Sequence, residues 1–294
     1  MSTNSWQRWH TVVTILISLM LVGYAWWPFL LDRNDASTNT YSWLIFAALL
    51  IVFVIVIGLG ITGRVLGILI NEHNKMSLSR FQMVLWTIVI LSGWLTAVTW
   101  NLWNNVGTAA LAIAIPVQVW GLLGISVTSL VGTPIILDPK TRKTPAPKEQ
   151  ETARNRLAPQ QMRSMRARNL AQPAPTGAEA EAQAVDMTGV QFKGLVVART
   201  DPARAEFGDI FTGDEAGTGG LVDVGKVQMF FFTLVIALAY ALNISSILVT
   251  ASKNGITEFP QLDSSMVALL GISNAGYLGY KAAPHTRTTE DVQG

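Results

Sequence analysis

The segment GLVDVGK at 220–226 is the closest approach to a reactive motif in this chain. It matches the first seven positions of a phosphate-binding loop, G-x-x-x-x-G-K, in which backbone N–H groups and the lysine hold phosphates. The eighth position is Val227, where the motif needs a serine or threonine hydroxyl for magnesium. A membrane-length apolar stretch follows, and no buried strand precedes the segment. The sequence therefore predicts no nucleotide site here.

Two other segments contain side chains typical of ion sites. NAGYLGYK at 274–281 is similar to the carbonyl-lined filter of potassium channels. Its glycines continue a helical row of small residues and no pore helix precedes it, so helix packing is predicted instead. The acidic residues Asp209, Asp214, Glu215 and Asp223 suggest a cation site or an acid and base pair. They lie in or beside the glycine-rich stretch TGDEAGTGG, which favours a solvated, flexible loop.

Metal and thiol chemistry lack candidate residues. The chain has no cysteine and three histidines, His10, His73 and His285, which form no HxxH or HExxH spacing. We expect no catalytic residue, no bound cofactor and no metal site, and the protein is predicted not to be an enzyme.

The elements that position these segments are apolar helices. Hydrophobic residues make up 50% of the chain and charged residues 14%, a balance typical of proteins that need lipid as part of their solvent. A hydrocarbon core of about 30 Å needs roughly 20 apolar residues per helix. Six such runs are predicted, at 11–31, 42–63, 81–100, 116–136, 227–248 and 264–282. The predicted fold class is all-α, a polytopic membrane protein with about six transmembrane helices.

The lysines and arginines predict how these spans are oriented. Of the 21, only Arg33 and Lys253 lie on one side of the predicted spans, whereas the other side holds both termini, 64–80 and 138–224. Positively charged loops of membrane proteins face the cytosol. We therefore expect both termini to be cytosolic, and the bacterial cytoplasmic (inner) membrane to be the location.

The segment 138–224 is predicted to be a mostly disordered cytosolic insert. Between 139 and 187 it is rich in Pro, Ala, Gln and charged residues and has no aromatic residue. Such a composition buries too little apolar surface to offset the ordering entropy of the chain. Order is expected to return near Val190, with a short strand at 194–198 and the segment FGDIF at 207–211 against the bilayer.

Five arginines between Arg154 and Arg168 form a basic stretch within this insert. A solvated charge run is predicted, with binding to anionic lipid or to a partner helix as the alternatives. Nucleic acid is not expected as a partner because the stretch has no aromatic side chains to stack on bases.

The chain contains an internal repeat. SRFQMVLWT at 79–87 aligns with GKVQMFFFT at 225–233, and LLGISVTSLVG at 122–132 aligns with LLGISNAGYLG at 269–279. An even number of predicted spans separates the two copies, so they are expected to share one orientation, as parallel repeats do. The predicted organisation is two leading helices (1–78), hairpin repeat 1 (79–137), the insert (138–224), hairpin repeat 2 (225–283) and a tail (284–294).

Small residues recur at every fourth position in the second helix of each repeat. They are Gly124, Thr128 and Gly132 in the first copy and Gly271, Ala275 and Gly279 in the second. Such rows let helix backbones approach closely in lipid, where apolar burial supplies little drive for association. The helices at 116–136 and 264–282 are expected to pack through these rows, either within the chain or between subunits.

Polar and basic side chains mark both repeats. The polar residues predicted to lie inside the membrane are Gln82, Gln228, Ser126 and Ser273. The two glutamines are expected to hydrogen-bond to neighbouring helices or to sit at the headgroups. Arg80 and Lys226 precede them and are interpreted as interface anchors that reach toward the headgroups. For 63–78 two paths stay open: a helix that continues into the cytosol, or a bend at Gly63 and Gly67.

The repeat also carries a resemblance. The combination of basic-x-Gln-Met, a following Thr and a LLGIS-opened glycine row resembles a broadly distributed group of bacterial multi-pass inner-membrane proteins without an assigned activity. The resemblance covers mainly the two hairpins and 208–226. It implies a multi-pass membrane protein and no particular chemistry.

Two functions stay open on this basis. The first is a non-catalytic integral membrane scaffold or anchor that oligomerises in the bilayer and presents 138–224 to a partner. The alternative is an ion channel or pore-forming membrane effector lined by the polar residues of the repeats. The expected partners are membrane lipid, further copies of the chain and a cytosolic protein. A secondary transporter ranks third, because the spans lack charged residues at their midpoints.

Overall fold

The computed structural model describes residues 6–26, 38–104, 107–168 and 189–293. Within these ranges the chain forms eight α-helices and one antiparallel pair of strands. The helices are α1 (Arg8–Trp26), α2 (Thr38–Thr62), α3 (Leu78–Trp103), α4 (Val117–Thr141), α5 (Pro147–Arg168), α6 (Val224–Val249), α7 (Ser264–Ala282) and α8 (Thr289–Gln293). The strands are β1 (Val190–Lys193) and β2 (Val196–Arg199). The fold is thus mostly helical, with a small β-hairpin that an all-α class does not include.

Five of the described helices are long and apolar enough to cross a membrane. The candidate spans are Arg8–Ala25, Thr38–Thr62, Leu78–Trp103, Val117–Thr141 and Val224–Val249. Their outward faces carry large apolar side chains, such as Leu19 on α1 and Leu242 on α6, which are 60% and 65% exposed. Extended apolar surface of this kind is rare on soluble monomers, and it suits a membrane protein. The predicted sixth span is a helix, α7, but α7 is not among the five.

The chain divides into two compact units. Unit 1 consists of the part up to Leu69 together with Ser79–Thr128 and Met229–Asn274. Unit 2 consists of Ile70–Leu78, Ser129–Gln228 and the part from Ala275 onward.

In unit 1, α3 and α6 pack closely around buried aromatic side chains. Trp86 and Tyr240 are fully buried, with ring centroids 6.3 Å apart. One side of this contact depends on Gly93, because a Cβ there would lie 3.1 Å from Cγ2 of Ile244. These helices belong to different copies of the predicted repeat, so the copies pack against each other within unit 1.

The end of α2 decides between the two predicted paths of the following segment. The helix stops at Thr62, and Gly63 adopts a left-handed φ of 71° that ends a helix readily only at glycine. The chain then folds back onto the helix it has left, so that a Cβ on Gly58 would lie 2.8 Å from the carbonyl oxygen of Arg64. A short 3₁₀ turn, Gly67–Leu69, follows. The bend predicted at Gly63 is therefore present, and the continuous helix is not.

Unit 2 contains an ordered module where the sequence predicts mostly disorder. Helix α5 begins with Pro147, which suits a first helical position because its missing N–H has no partner to lose. Leu157 on this helix packs into a small core with Val190 and Val197 of the β-hairpin, and Phe192 closes that core. The short strand predicted at 194–198 corresponds to β2. Packing against the hairpin stabilises α5, although the helix has few apolar residues. Residues 169–188 lie outside the described part of the chain.

Candidate functional site

Three buried lysines of unit 2 converge on one carboxylate. Nζ of Lys226 lies 2.9 Å from Oδ1 of Asp214, and Nζ of Lys281 lies 2.9 Å from Oδ2. Nζ of Lys75 is 3.7 Å from Oδ1, which is within ion-pair range but beyond a hydrogen bond. The three lysines are only 4–7% exposed. These four residues are called the lysine cluster below.

Strand β2 places two of the four members. The N–H of Val197 donates to the carbonyl of Asp214 at 2.8 Å, which adds the acidic segment to the edge of the hairpin. At the end of the same strand, the N–H of Arg199 donates to the carbonyl of His73 at 2.9 Å. The backbone of one strand therefore holds the Lys75 segment and the Asp214 segment side by side, although they are far apart in sequence.

Helix ends supply the other two members. Lys226 lies in the first turn of α6, and its ammonium also donates to the carbonyl of Thr212 at 2.6 Å. Lys281 lies in the last turn of α7, where its ammonium contacts the hydroxyl of Tyr277 and approaches Oγ1 of Thr133 at 3.5 Å. Both ammonium groups are thus turned into the protein and anchored by neutral oxygens as well as by the carboxylate.

The lysine cluster carries more positive than negative charge. Asp214 can neutralise one ammonium, so three protonated lysines leave a formal surplus of two positive charges. The neighbouring buried charges do not compensate, because they are already paired. Arg199 binds Asp209 at 2.6 Å, and Lys140 binds Glu215 at 2.5 Å. An uncompensated buried charge is costly, and proteins relieve it by a pKa shift or by a bound counter-ion.

The pKa of a lysine and the pKa of the aspartate are both shifted in the cluster. Burial lowers the pKa of Lys75 from 10.5 to about 8, with Lys226 contributing in the same direction and Asp214 opposing it. Burial alone would raise the pKa of Asp214, but the ammonium groups of Lys226, Lys281 and Lys75 hold it well below its usual value. At neutral pH the carboxylate is therefore ionised, and Lys75 releases its proton more readily than an ordinary lysine.

A narrow cleft opens beside the lysine cluster. The space between its walls, counted together with the open solvent at its mouth, is about 350 Å³. Besides the cluster itself, the lining includes other polar side chains, namely Asn71, His73, Ser77, Thr133 and Tyr277. No protein-family model, curated protein or solved structure matches this chain. The residues of the cleft present hydrogen-bond donors and positive charge.

Lys75 predicts a distinctive pH dependence of stability. Its pKa is about 8 in the folded protein and 10.5 in the unfolded chain, so the unfolded state binds more protons between these values. Stability contributed by Lys75 therefore rises as pH increases from 8 to 10.5, by up to about 3 kcal/mol. We expect the stability of wild type relative to Lys75→Met to increase over this range in urea unfolding experiments in detergent.

Other groups face Lys75 and titrate or carry charge; they are Asp209, Asp214, Arg199, Lys226, Lys281 and His73. All of them are retained in the Lys75→Met variant, so the difference between the two proteins isolates Lys75. The exposed Lys148 provides the matched control, since Lys148→Met should give a difference that does not change with pH. A flat difference for Lys75→Met as well would contradict the lowered pKa.

The structure corrects two predictions about charged residues. Lys226 was predicted to anchor at the headgroups, but its ammonium is buried and bound to Asp214 and Thr212. The acidic stretch was predicted to be a solvated loop, but Asp209 and Glu215 are each 3% exposed and paired with a cation. The sequence prediction failed because one-dimensional spacing did not reveal which cations would meet these carboxylates. Arg80 is half-buried at the start of α3.

The four polar residues predicted inside the membrane occupy different environments. Gln82 is fully buried and donates to Oγ1 of Thr233 at 2.6 Å, whereas its repeat counterpart Gln228 is exposed. Ser126 is fully buried, and Ser273 is half-buried. The predicted hydrogen bond to a neighbouring helix is therefore present for Gln82, and the two aligned glutamines lie in different environments.

The small-residue rows divide into inward and outward positions. Gly132 and Gly271 face a neighbouring helix, since a Cβ on them would lie 3.6 Å from Leu278 and Ile125 respectively. A Cβ on Gly124 or Gly279 would meet no atom of the described residues within 4 Å. The remaining members, Thr128 and Ala275, are exposed.

Sequence reasoning did not identify Lys75, Lys281 and Thr133 as site residues. Lys75 lies in the connection after α2, whose path stayed open, and Lys281 was assigned to the tail of a predicted packing helix. One signal was available: lysines occur at or beside the ends of three apolar stretches, at Lys75, Lys226 and Lys281, all on the side predicted to be cytosolic. Among the described residues, no group of three His, Asp or Glu is placed so that it could hold a metal ion.

Proposed function

We propose that the protein is a non-catalytic integral membrane scaffold or anchor that associates in the bilayer and presents the folded part of 138–224 to a cytosolic partner. The observation that carries the proposal is the anchoring of this segment to the helix ends of unit 2. Lys140, in the last turn of α4, donates to Glu215 and also to the carbonyls of Lys281 and Ala283, each at 2.6 Å. A segment tied in this way is displayed rigidly, as a scaffold requires.

The surface that such a module presents is basic and helical. Helix α5 carries an exposed arginine, Arg154, whose guanidinium lies 5.7 Å from the ring centroid of Phe192 on the β-hairpin. Arg156 donates to the carbonyl of Gly217 at 3.0 Å, which ties the helix to the acidic loop. An ordered helix with an exposed arginine suits an acidic partner protein.

Association in the bilayer is proposed to use the outward small-residue positions, Gly124 and Gly279. Because a Cβ at Gly124 meets no atom of the described residues within 4 Å, Gly124→Leu should leave the folded protomer intact and disturb only close approach by another helix. We expect this variant to shift the protein in nanodiscs or mild detergent toward smaller assemblies, measured by mass photometry or light scattering, with unchanged far-ultraviolet circular dichroism.

Gly23 on α1 provides a matched control, since a Cβ there also meets nothing within 4 Å among the described residues. Gly23→Leu adds the same bulk to another candidate span and should leave the assembly size unchanged. If Gly124→Leu and wild type form assemblies of equal size, the small-residue rows do not mediate association. Equal losses in both variants would indicate a general effect of bulk on the lipid-facing surface.

A pore-forming effector is the second candidate, and one observation favours it. Several oxygens in unit 1 are buried without a hydrogen-bond partner among the described residues, including Oε1 of Gln82, Oγ of Ser126 and Oδ1 of Asn274. Unpaired polar atoms inside a membrane protein are costly unless water or ions reach them. Proteoliposomes should then leak ions, and Gln82→Leu should reduce the leak. Vesicles that stay tight to ions under every condition would exclude this candidate.

A further inference from the structure

We propose that the ammonium groups of Lys75, Lys226 and Lys281 form a binding site for a phosphate group, with Asp214 holding them in place. The proposal does not depend on the scaffold function. The proposed ligand is a phosphate dianion or a phosphate ester. The proposal does not rest on the partial phosphate-binding loop motif at 220–226. The loop motif fails at Val227, and the site instead combines three segments that are distant in sequence.

The first observation that supports this site is that three ammonium groups share one carboxylate. Each oxygen of Asp214 accepts one hydrogen bond, Oδ1 from Lys226 and Oδ2 from Lys281. Lys75 is left 3.7 Å away, and its single hydrogen-bond acceptor among the described residues is the carbonyl of Gly213, at 3.0 Å. Lys75 therefore retains N–H groups that need an acceptor, and an incoming anion supplies it.

The second support is the composition of the cleft. Its lining near the lysine cluster contains amide and hydroxyl side chains, Asn71, Ser77 and Thr133, which donate hydrogen bonds to oxyanions. The carboxylates closest to the cluster, Asp209 and Glu215, are already bound to Arg199 and Lys140. An anion that enters the cleft thus meets donors and surplus positive charge, and the one carboxylate it meets is already shared by lysines.

The position of Lys226 indicates where such a phosphate would come from. Lys226 lies in the first turn of the candidate span Val224–Val249. A residue at the end of a membrane span lies at the depth of lipid headgroups, and basic pockets at this depth bind anionic lipids. A lipid headgroup and a free phosphate share the same chemistry, so the experiment must separate the two sources.

The test uses the full chain purified in detergent, in two arms at constant ionic strength. The first arm titrates inorganic phosphate against chloride and measures the thermal unfolding midpoint. The second measures binding of phosphatidylglycerol, phosphatidic acid and phosphatidylcholine by native mass spectrometry. We expect stabilisation by phosphate, preferential binding of the anionic lipids, or both, and we expect Lys75→Met to weaken the affinity at least tenfold at pH 7.

Lys75→Met is the informative variant because it removes the ammonium with the weakest internal partner and leaves the two hydrogen bonds to Asp214. Lys148→Met removes an exposed lysine and should bind like wild type. Binding of lipid alone identifies a headgroup site, and binding of phosphate alone identifies a site for a soluble anion. The proposal is overturned if neither arm shows binding in wild type, or if Lys75→Met binds as tightly as wild type.

Discussion

Replacing Asp214 by asparagine is expected to lower the free energy of unfolding by about 3–5 kcal/mol at pH 7, the usual cost of leaving buried charge without its partner. The substitution preserves shape but removes the only carboxylate within ion-pair range of the ammonium groups of Lys75, Lys226 and Lys281 among the described residues. The asparagine amide would also direct N–H donors toward ammonium groups. Because a domain is stable by only about 5–15 kcal/mol, the loss should be evident in urea unfolding in detergent.

A second substitution tests whether the lost stability is caused by unpaired charge. Lys75→Met added to Asp214→Asn removes one of the ammonium groups that the carboxylate served, so the double variant should regain part of the lost stability. Additive losses in the double-variant cycle would contradict a shared electrostatic cause. Glu290→Gln, at an exposed position of α8, is the matched control for loss of a carboxylate and should leave the unfolding midpoint unchanged.

The pH dependence of Asp214 has the same sign as that of Lys75 but falls in the acid range. The pKa of Asp214 lies well below its ordinary value of 3.8, so its stabilising contribution is complete above that value and is lost as pH falls through the folded-state pKa. Wild type and Asp214→Asn should therefore converge in stability only in strong acid. Convergence near neutral pH would indicate that the carboxylate is protonated there.

The sequence predicts the helices of this fold well because lipid imposes a length and a composition on each span. The strand near 194–198 follows from local rules about β-branched residues, whereas the turn at Gly63 was one of two paths left open and the helix ends differ by several residues from those predicted. The lysine cluster depends instead on long-range backbone pairing. Strand β2 brings His73 and Asp214 together, and no local pattern around Lys75 specifies that neighbour.

Lys226 shows why the site escaped prediction. A basic residue at the start of an apolar helix is usually interpreted as an anchor whose ammonium reaches the headgroups. The same residue can turn inward when a buried carboxylate and carbonyl are available, as Asp214 and Thr212 are here. Which outcome occurs depends on the fold of the glycine-rich loop 212–220, and the composition of that loop suggests solvent exposure. Whether a side chain in such a loop is buried or exposed depends on the residues that pair with it, and not on the composition of the loop.

Glu215→Gln is expected to destabilise unit 2 by about 3–5 kcal/mol, through the same cost of a stranded buried charge. Glu215 is 3% exposed; Oε1 accepts from Lys140 at 2.5 Å, and Oε2 accepts from the backbone N–H of His285 at 3.0 Å. A glutamine offers one acceptor and one donor to two groups that both donate. One of the two contacts must therefore become repulsive whichever way the amide is turned.

The effect should appear first in the C-terminal segment. Its backbone is tied to the start of α5 by bonds from Ala146 N–H to the carbonyl of Arg287 at 2.9 Å and from Thr289 N–H to the carbonyl of Thr144 at 3.1 Å. Losing the Glu215 contact to His285 loosens this attachment from one end, so limited trypsin digestion should cut at Arg287 much faster than in wild type. Cleavage at Arg287 and the unfolding midpoint together measure local and global stability.

Asp138→Asn supplies the comparison that decides the cause. Asp138 pairs with Arg142 at 2.6 Å, but both side chains are exposed, at 60% and 77%. Exposed pairs contribute less than about 1 kcal/mol, so this variant should resemble wild type in both assays. If Glu215→Gln is no more destabilising than Asp138→Asn, the buried pair does not hold unit 2 together. The rigid display of 138–224 would then lose one of its supports, leaving the backbone bond from Leu195 N–H to the carbonyl of Lys140 and the Lys140 bonds to Lys281 and Ala283.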